Sequence, residues 1–156
     1  MDGLELRPAT GTDGAEIAEL YLASFKATYD FPLAHTDDQV RHWIADVLLP
    51  THEVWVAAAR EGSIVGMMAL SSEMLDQLYV APAWTGHGIG TRLVELAKRR
   101  RPGGLDLYTF QVNHKARGFY ERREFTEVSL GDGSANEEGQ PDVRCAWRSI
   151  RQRVAP

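Results

Sequence analysis

The chain has 156 residues, with 17 Lys and Arg against 22 Asp and Glu and a net charge of −5. That length suits one domain with a real core, and the acidic balance argues against a general nucleic-acid binder, which carries a basic surplus or stripe. The single cysteine, Cys145, excludes an internal disulfide and a cysteine metal cluster, and no apolar run approaches the length that spans a bilayer. Cys145 reads as a small apolar residue in a strand. The opening MDGLELRPAT is acidic and poor in apolar residues, unlike a secretory signal, so a cytoplasmic protein is expected.

In chain order, Leu4 and Leu6 predict a short first strand. Asp13 followed by Glu16 is a capping-box pattern that opens a helix with Ile17, Leu20, Tyr21 and Phe25 on its apolar face. Thr36 and Gln39 form a second such pair, and Val40, Trp43, Ile44, Val47 and Leu48 follow at helical spacing until Pro50. The period then changes. Val54–Ala59 and Ile64–Leu70 are β-type runs joined through Glu61, Gly62 and Ser63, a hairpin pattern. Leu75–Val80 is a further strand, stopped by Pro82.

After a glycine-rich turn, Ile89, Leu93, Leu96 and Ala97 line a third helix that ends in Lys98, Arg99, Arg100 and Arg101. Cations suit the negative end of a helix dipole, and because the run stands alone it is not read as a nucleic-acid stripe. Leu105–Val112 is a strand, Asn113 to about Arg123 a fourth helix and Phe125–Leu130 a strand. The polar loop DGSANEEGQPD then leads to a last strand, Val143–Ile150. Leu75–Val80, the third helix and Leu105–Val112 read as a right-handed crossover between parallel strands, with antiparallel pairing elsewhere. The expected architecture is α+β: a central mixed sheet of about six to seven strands flanked by four helices, one domain over residues 1–156.

The turn itself reads Thr85-Gly86-His87-Gly88-Ile89-Gly90-Thr91. A helix start leaves backbone N–H groups without partners and carries partial positive charge, and glycines let a phosphate approach that backbone closely. A phosphate-bearing ligand is therefore expected. A P-loop would need a lysine where Thr91 and Arg92 stand. A dinucleotide fingerprint would need glycine at Thr91 and an acid at the end of the next strand, whereas Asp106 lies near its beginning. A tight turn that binds nothing is the remaining reading. It is disfavoured because three glycines in five residues weaken a helix start without an evident packing benefit.

Here the sequence resembles the GNAT superfamily of acetyl-CoA-dependent N-acetyltransferases. The superfamily's Gln/Arg-x-x-Gly-x-Gly/Ala is matched by Thr85-x-x-Gly88-Ile89-Gly90, and its N-x-x-A-x-x-F-Y-E by Asn113, Ala116 and Phe119-Tyr120-Glu121, followed by Phe125. The run from LDQLYV to the late PDV is similar to a bacterial subgroup of these enzymes. Two departures are visible. Thr85 stands where a long Gln or Arg usually reaches the pyrophosphate, and Glu124 stands where glycine usually follows the fourth helix.

The resemblance implies acetyl-CoA as cosubstrate. It places Thr85, Gly86, His87, Gly88, Ile89, Gly90 and Thr91 at the pyrophosphate and the backbone of Leu78, Tyr79 and Val80 at the thioester carbonyl. It adds Asn113 and Phe119 as cofactor contacts, with Asn113 on the pantetheine arm, and makes Tyr120 the general acid at the sulfur. Independently of it, Asn113 and Tyr120 are seven residues apart on a helix, on one face and separated by about 10 Å of rise, so one elongated ligand could touch both. Glu73 and Asp76 flank the start of the strand where the superfamily often puts a carboxylate. Glu73 is taken as the base, and a solvated or paired carboxylate is an equal reading of either. Tyr29, His35 and Trp43 are candidates for the amine-site wall, beside their plainer readings as core or loop residues. Glu137, Glu138 and Asp142 are acids that could attract an ammonium.

The implied activity is acetyl transfer to a primary amine, on a small molecule or on a peptide or protein. The alternative is a catalytically weak module that binds or senses acyl-CoA. No metal, nucleic acid or membrane partner is expected, and a homodimer is expected only because small enzymes often form symmetric pairs.

Overall fold

In the computed structural model, which describes residues 3–150, the chain alternates short strands and helices. Met1, Asp2 and residues 151–156, included in the one-domain reading, lie outside the described residues. The elements are β1 (Glu5–Pro8), α1 (Gly14–Thr28), α2 (Asp37–Trp43), a π-helical turn (Ile44–Leu48), α3 (Leu49–Thr51), β2 (Glu53–Ala58), β3 (Ile64–Leu70), β4 (Leu75–Val80), α4 (Ile89–Arg100), β5 (Gly104–Phe110), α5 (His114–Arg122), β6 (Thr126–Gly131) and β7 (Asp142–Arg148). The segment from α2 through α3 is one continuous rod, so the four expected helices are present. No described helix is long and apolar enough to cross a membrane.

The second helix start follows its sequence signal. Thr36 Oγ1 accepts from Gln39 N at 3.1 Å, and Gln39 Oε1 accepts from Thr36 N at 2.9 Å. The first does not. Asp13 caps backward, accepting from Thr10 N at 2.7 Å, and is gripped on both oxygens by Arg7 at 2.8 and 3.0 Å. Glu16 instead accepts from Ile64 N at 2.6 Å, tying α1 to the start of β3. Pro50 does not stop the second helix. It follows the π-helical turn in the last turn of the rod, and the helix ends at Thr51. The last strand ends at Arg148, two residues earlier than expected.

The seven strands form two sheets, ordered β1-β2-β3-β4 and β5-β7-β6. Every strand pair within them is antiparallel. The parallel crossover survives as one isolated bridge, Met74–Asp106, backed by Asp106 N donating to Glu73 O at 2.9 Å. Beyond that bridge β4 and β5 diverge.

The larger sheet is covered on both faces. Ile17, Leu20, Ile44 and Leu48 pack on one side against Val54, Val56, Met67 and Ala69. On the other side Met68 and Leu70 meet Ile89, Leu93 and Ala97 of α4, together with Leu105, Leu107, Val143, Cys145 and Trp147 of the second sheet. β3 is buried along its whole length, which is why its sequence is an unbroken apolar run rather than an alternating one. The basic end of α4 is absorbed by the fold. Lys98 Nζ donates to Arg123 O at 2.6 Å and lies 5.0 Å from the Trp147 ring, and Arg100 and Arg101 both pair with Glu53.

Arg7 holds the Asp13 carboxyl far below the usual range, at about 2 instead of 3.8. A depressed carboxylate stabilises the fold above the unfolded value, and that contribution is lost as pH falls from 3.8 towards 2, because the unfolded chain takes up the proton first. The shift corresponds to about 2 kcal/mol. Asp13→Asn is expected to lower stability by about that amount at pH 7 and by progressively less below pH 4, measured by urea unfolding across pH. An equal loss at pH 7 and pH 2 would contradict the assignment.

Candidate active site

The divergence of β4 from β5 opens a cleft of about 560 Å³ lined by α1, β4, the glycine turn, β5 and α5. Its floor is the open edge of β4. Tyr79 faces Met67 and Val80 faces Gly66 in the β3–β4 register, and Ala81 N donates to Val65 O at 2.9 Å. Antiparallel partners alternate between bonded and unbonded pairs, so Gln77 and Tyr79 give their amides to β3 while Leu78 and Val80 turn theirs to the cleft. The Val80 carbonyl is taken by Ser24 Oγ at 2.8 Å. The Tyr79 amide, grouped with its neighbours in the sequence reading, therefore points into the sheet. Its side chain packs 4.7 Å from the Tyr21 ring. Burial pushes the Tyr21 hydroxyl up to about 12, with Glu138 and Glu137 opposing its ionisation further.

At one end of the cleft lies the glycine turn. Gly88 is the N-cap of α4 at φ +81, a left-handed conformation that suits glycine, and no side chain caps the helix. The first bond of the helix runs from Arg92 N to Gly88 O at 3.1 Å, so the amides just before Arg92 are a ready set of anion donors. Gly90 does have a packing reason, contrary to the sequence reading: a Cβ there would meet Phe119 Cζ at 3.1 Å. Thr85, Gly86, Gly88, Ile89, Gly90 and Thr91 line the cleft. His87 is folded back, its Nδ1 3.1 Å from the carbonyls of Trp84 and Thr85, and is not among the lining residues.

α5 forms the opposite wall. Asn113 is its N-cap, with Oδ1 accepting from Ala116 N at 3.0 Å and Nδ2 donating to Tyr29 Oη at 2.9 Å. Its side chain is thus partly committed to the protein and keeps one N–H for a ligand. Tyr120, whose ring is nearly fully buried, lines the cleft beside Phe119. Burial raises its pKa well above 10, and Tyr29 and Cys145 add to the rise, so the phenol stays protonated at neutral pH. Glu124, after α5, adopts φ +71, the left-handed conformation its place in the motif calls for.

Glu73 is not in this cleft. It lines a separate cavity behind the bridge with Asp106, Arg144 and Arg148, and its carbonyl serves the junction of the two sheets. Asp76 does line the cleft, at an irregularity where β4 loses register with β3, and His52 Nε2 is 3.5 Å from its carboxylate. Tyr29 also lines the cleft. It lies 5.2 Å from Phe110 and 4.9 Å from Phe31, ring centre to ring centre. Trp43 packs in the core, 6.2 Å from Tyr21. His35 pairs with Glu137 at 2.5 Å, and Ala34 N donates to Glu138 at 3.1 Å, so the α1–α2 loop is tied to the β6–β7 loop. Asp142 accepts from Asn136 within the latter loop. Sequence reasoning did not single out Ser24 as a polar contact, nor Phe110, Arg122 or Arg123, all of which line the cleft. Only the basic pair beside the F-Y-E motif offered a signal.

Residues 50–127 match the family described as the acetyltransferase (GNAT) domain. The peptidyl-lysine N-acetyltransferase YjaB of Salmonella typhimurium is 30% identical over 138 residues, covering 88% of this chain and 92% of that protein. Its Escherichia coli K12 namesake is 29% identical over 138 residues, covering 88% and 91%. Among solved structures, apo YjaB from Escherichia coli superposes with a TM-score of 0.78 at 26% identity, over 94% of this chain and 99% of that one. The PaiA N-acetyltransferase of Thermoplasma acidophilum in complex with coenzyme A shares the fold, with a TM-score of 0.72 at 20% identity over 93% and 98%. The chain belongs to the GNAT acetyltransferase family. It is an acyltransferase that moves an acetyl group from acetyl-CoA to an amine.

Proposed function

We propose that the acceptor is the ε-amine of a lysine in a peptide or protein, and that the enzyme works as a single domain. Support comes from the aromatic stretch of the cleft wall, where the rings of Tyr29 and Phe110 suit an aliphatic arm. The peptidyl-lysine enzymes named above are consistent with it.

The donor set fits acetyl-CoA. The uncapped start of α4 offers amides to a diphosphate, the free edge of β4 offers amides to an extended arm, and Tyr120 of α5 lines the same cleft. Bound acetyl-CoA supplies an activated acyl group: the amine forms the C–N bond, the C–S bond breaks, nitrogen loses a proton and sulfur gains one. In this reading Leu78 and Val80 N–H polarise the carbonyl, as preorganised donors do where negative charge develops. Asn113 holds the mouth of α5 and gives its spare N–H to the arm. Tyr120, as general acid, gives its phenolic proton to the departing sulfur and regains one from solvent. Proton acceptance is assigned to Asp76 instead of Glu73, because only Asp76 faces the cleft.

The observation that carries these assignments is the placement of Tyr120, buried in α5 and lining the same cleft as the open β4 edge. Tyr120→Phe is expected to lower kcat by about 10²–10⁴-fold with little change in CoA affinity; an unchanged single-turnover rate removes Tyr120 from the chemistry. For Asp76→Asn, kcat/KM falls at pH 7 and recovers as pH rises and the free amine becomes abundant. A parallel drop at all pH values would deny it a proton-accepting role. Initial rates at fixed acetyl-CoA should favour lysine peptides over small amines such as spermidine, and faster small-amine turnover would overturn the acceptor assignment.

A further inference from the structure

The glycine turn lacks the side chain that usually reaches the pyrophosphate. Thr85 is too short, and its hydroxyl donates to Pro82 O at 3.1 Å. Across the turn, however, the chain after α5 delivers a guanidinium to the same place. Arg123 Nε donates to Thr91 Oγ1 at 3.1 Å, Nη2 bonds the same oxygen, and Nη1 donates to Phe119 O at 2.9 Å. Its guanidinium carbon lies 3.8 Å from the centre of the Phe119 ring, so the group is held flat by stacking and aimed at the first turn of α4. Thr91, Phe119 and Arg123 all line the cleft.

Arg123 caps the C-terminal end of α5, a position that favours a cation, but burial and the start of α4 oppose its charge. Every polar partner found for it is neutral, and no ion pair to a carboxylate is found for it among the described residues. Burial lowers its pKa, neighbouring Arg122 adds to that, and Glu95 only partly opposes it. It also sits beside the positive end of a helix dipole. Two positive features held together by neutral contacts repel one another unless an anion lies between them. By contrast Arg117, on the same helix, is satisfied by Glu127 at 2.8 Å.

Building on the acetyl-CoA reading, we propose that Arg123 is the diphosphate-binding cation of this enzyme, supplying from the end of α5 the charge that position 85 lacks. The arginine is pre-stacked, so little side-chain entropy is lost when it binds, and its planar fork suits two phosphate oxygens. The diphosphate, and not the ribose phosphate, is the partner because Arg123 is bonded to the first turn of α4, next to the donor amides.

Isothermal calorimetry with CoA and dephospho-CoA, and competition by pantetheine, tests this on wild type, Arg123→Ala, Arg123→Gln and Thr85→Arg in the Arg123→Ala background. Removing a charge-assisted bond is expected to weaken CoA and dephospho-CoA alike by about 10–100-fold and to leave pantetheine unchanged. The KM for acetyl-CoA should rise by the same factor while kcat holds, and Thr85→Arg should restore most of the loss. Arg123→Gln keeps a hydrogen-bonding side chain if the alanine variant folds poorly. Unchanged CoA affinity in a folded variant, equal loss for pantetheine, or a loss confined to CoA and absent for dephospho-CoA would each overturn the assignment. Wild-type protein that binds no CoA would instead bring down the cofactor reading, and this inference with it.

Discussion

Parallel strands β4 and β5 hydrogen-bond at one point, Met74–Asp106, and then part. A buried backbone edge without partners costs free energy comparable to the bonds it lacks, so the separation is tolerated only because water or a ligand can reach the gap. The bridge is reinforced from behind. Asp106 is held by Arg144 Nε and Arg148 Nη1, both at 2.9 Å. Burial alone would raise its carboxyl, yet the two guanidiniums more than offset that and keep it below the usual carboxylate value. This closed corner lets the other end stay open without the two sheets coming apart.

The cleft inherits its chemistry from that geometry. One wall is a strand edge with two amides to spare, one end is an uncapped helix, and the facing wall is a short helix whose first residue, Asn113, is locked to α1 through Tyr29. Arg122 and Arg123 line the cleft, whereas Glu137 and Glu138 are tied to His35 and to the Ala34 amide in the neighbouring loops.

Much of this was legible in the residues. The Thr36–Gln39 cap, the hairpin at Glu61–Ser63, the strand Leu75–Val80 and the glycine turn are local signals, and each appears where it was expected. Asp13 and Glu16 show where such signals stop: both acids were read as one cap, yet each is claimed by a distant partner, Arg7 and Ile64. Glu73 and Asp76 illustrate the same limit at the site. They are three residues apart, and an irregularity in β4 sends one to the back of the junction and the other into the cleft.

The sequence by itself determined the element order, the family and the place of the glycine turn, because caps, glycines and apolar periods act over a few residues. Tertiary structure alone decided that the strands form two sheets, that the amides of Leu78 and Val80 rather than Tyr79 face the cleft, and that Arg123 stands over Thr91. Those outcomes depend on register and on how helices pack across a gap, which are set by contacts between segments far apart in the chain.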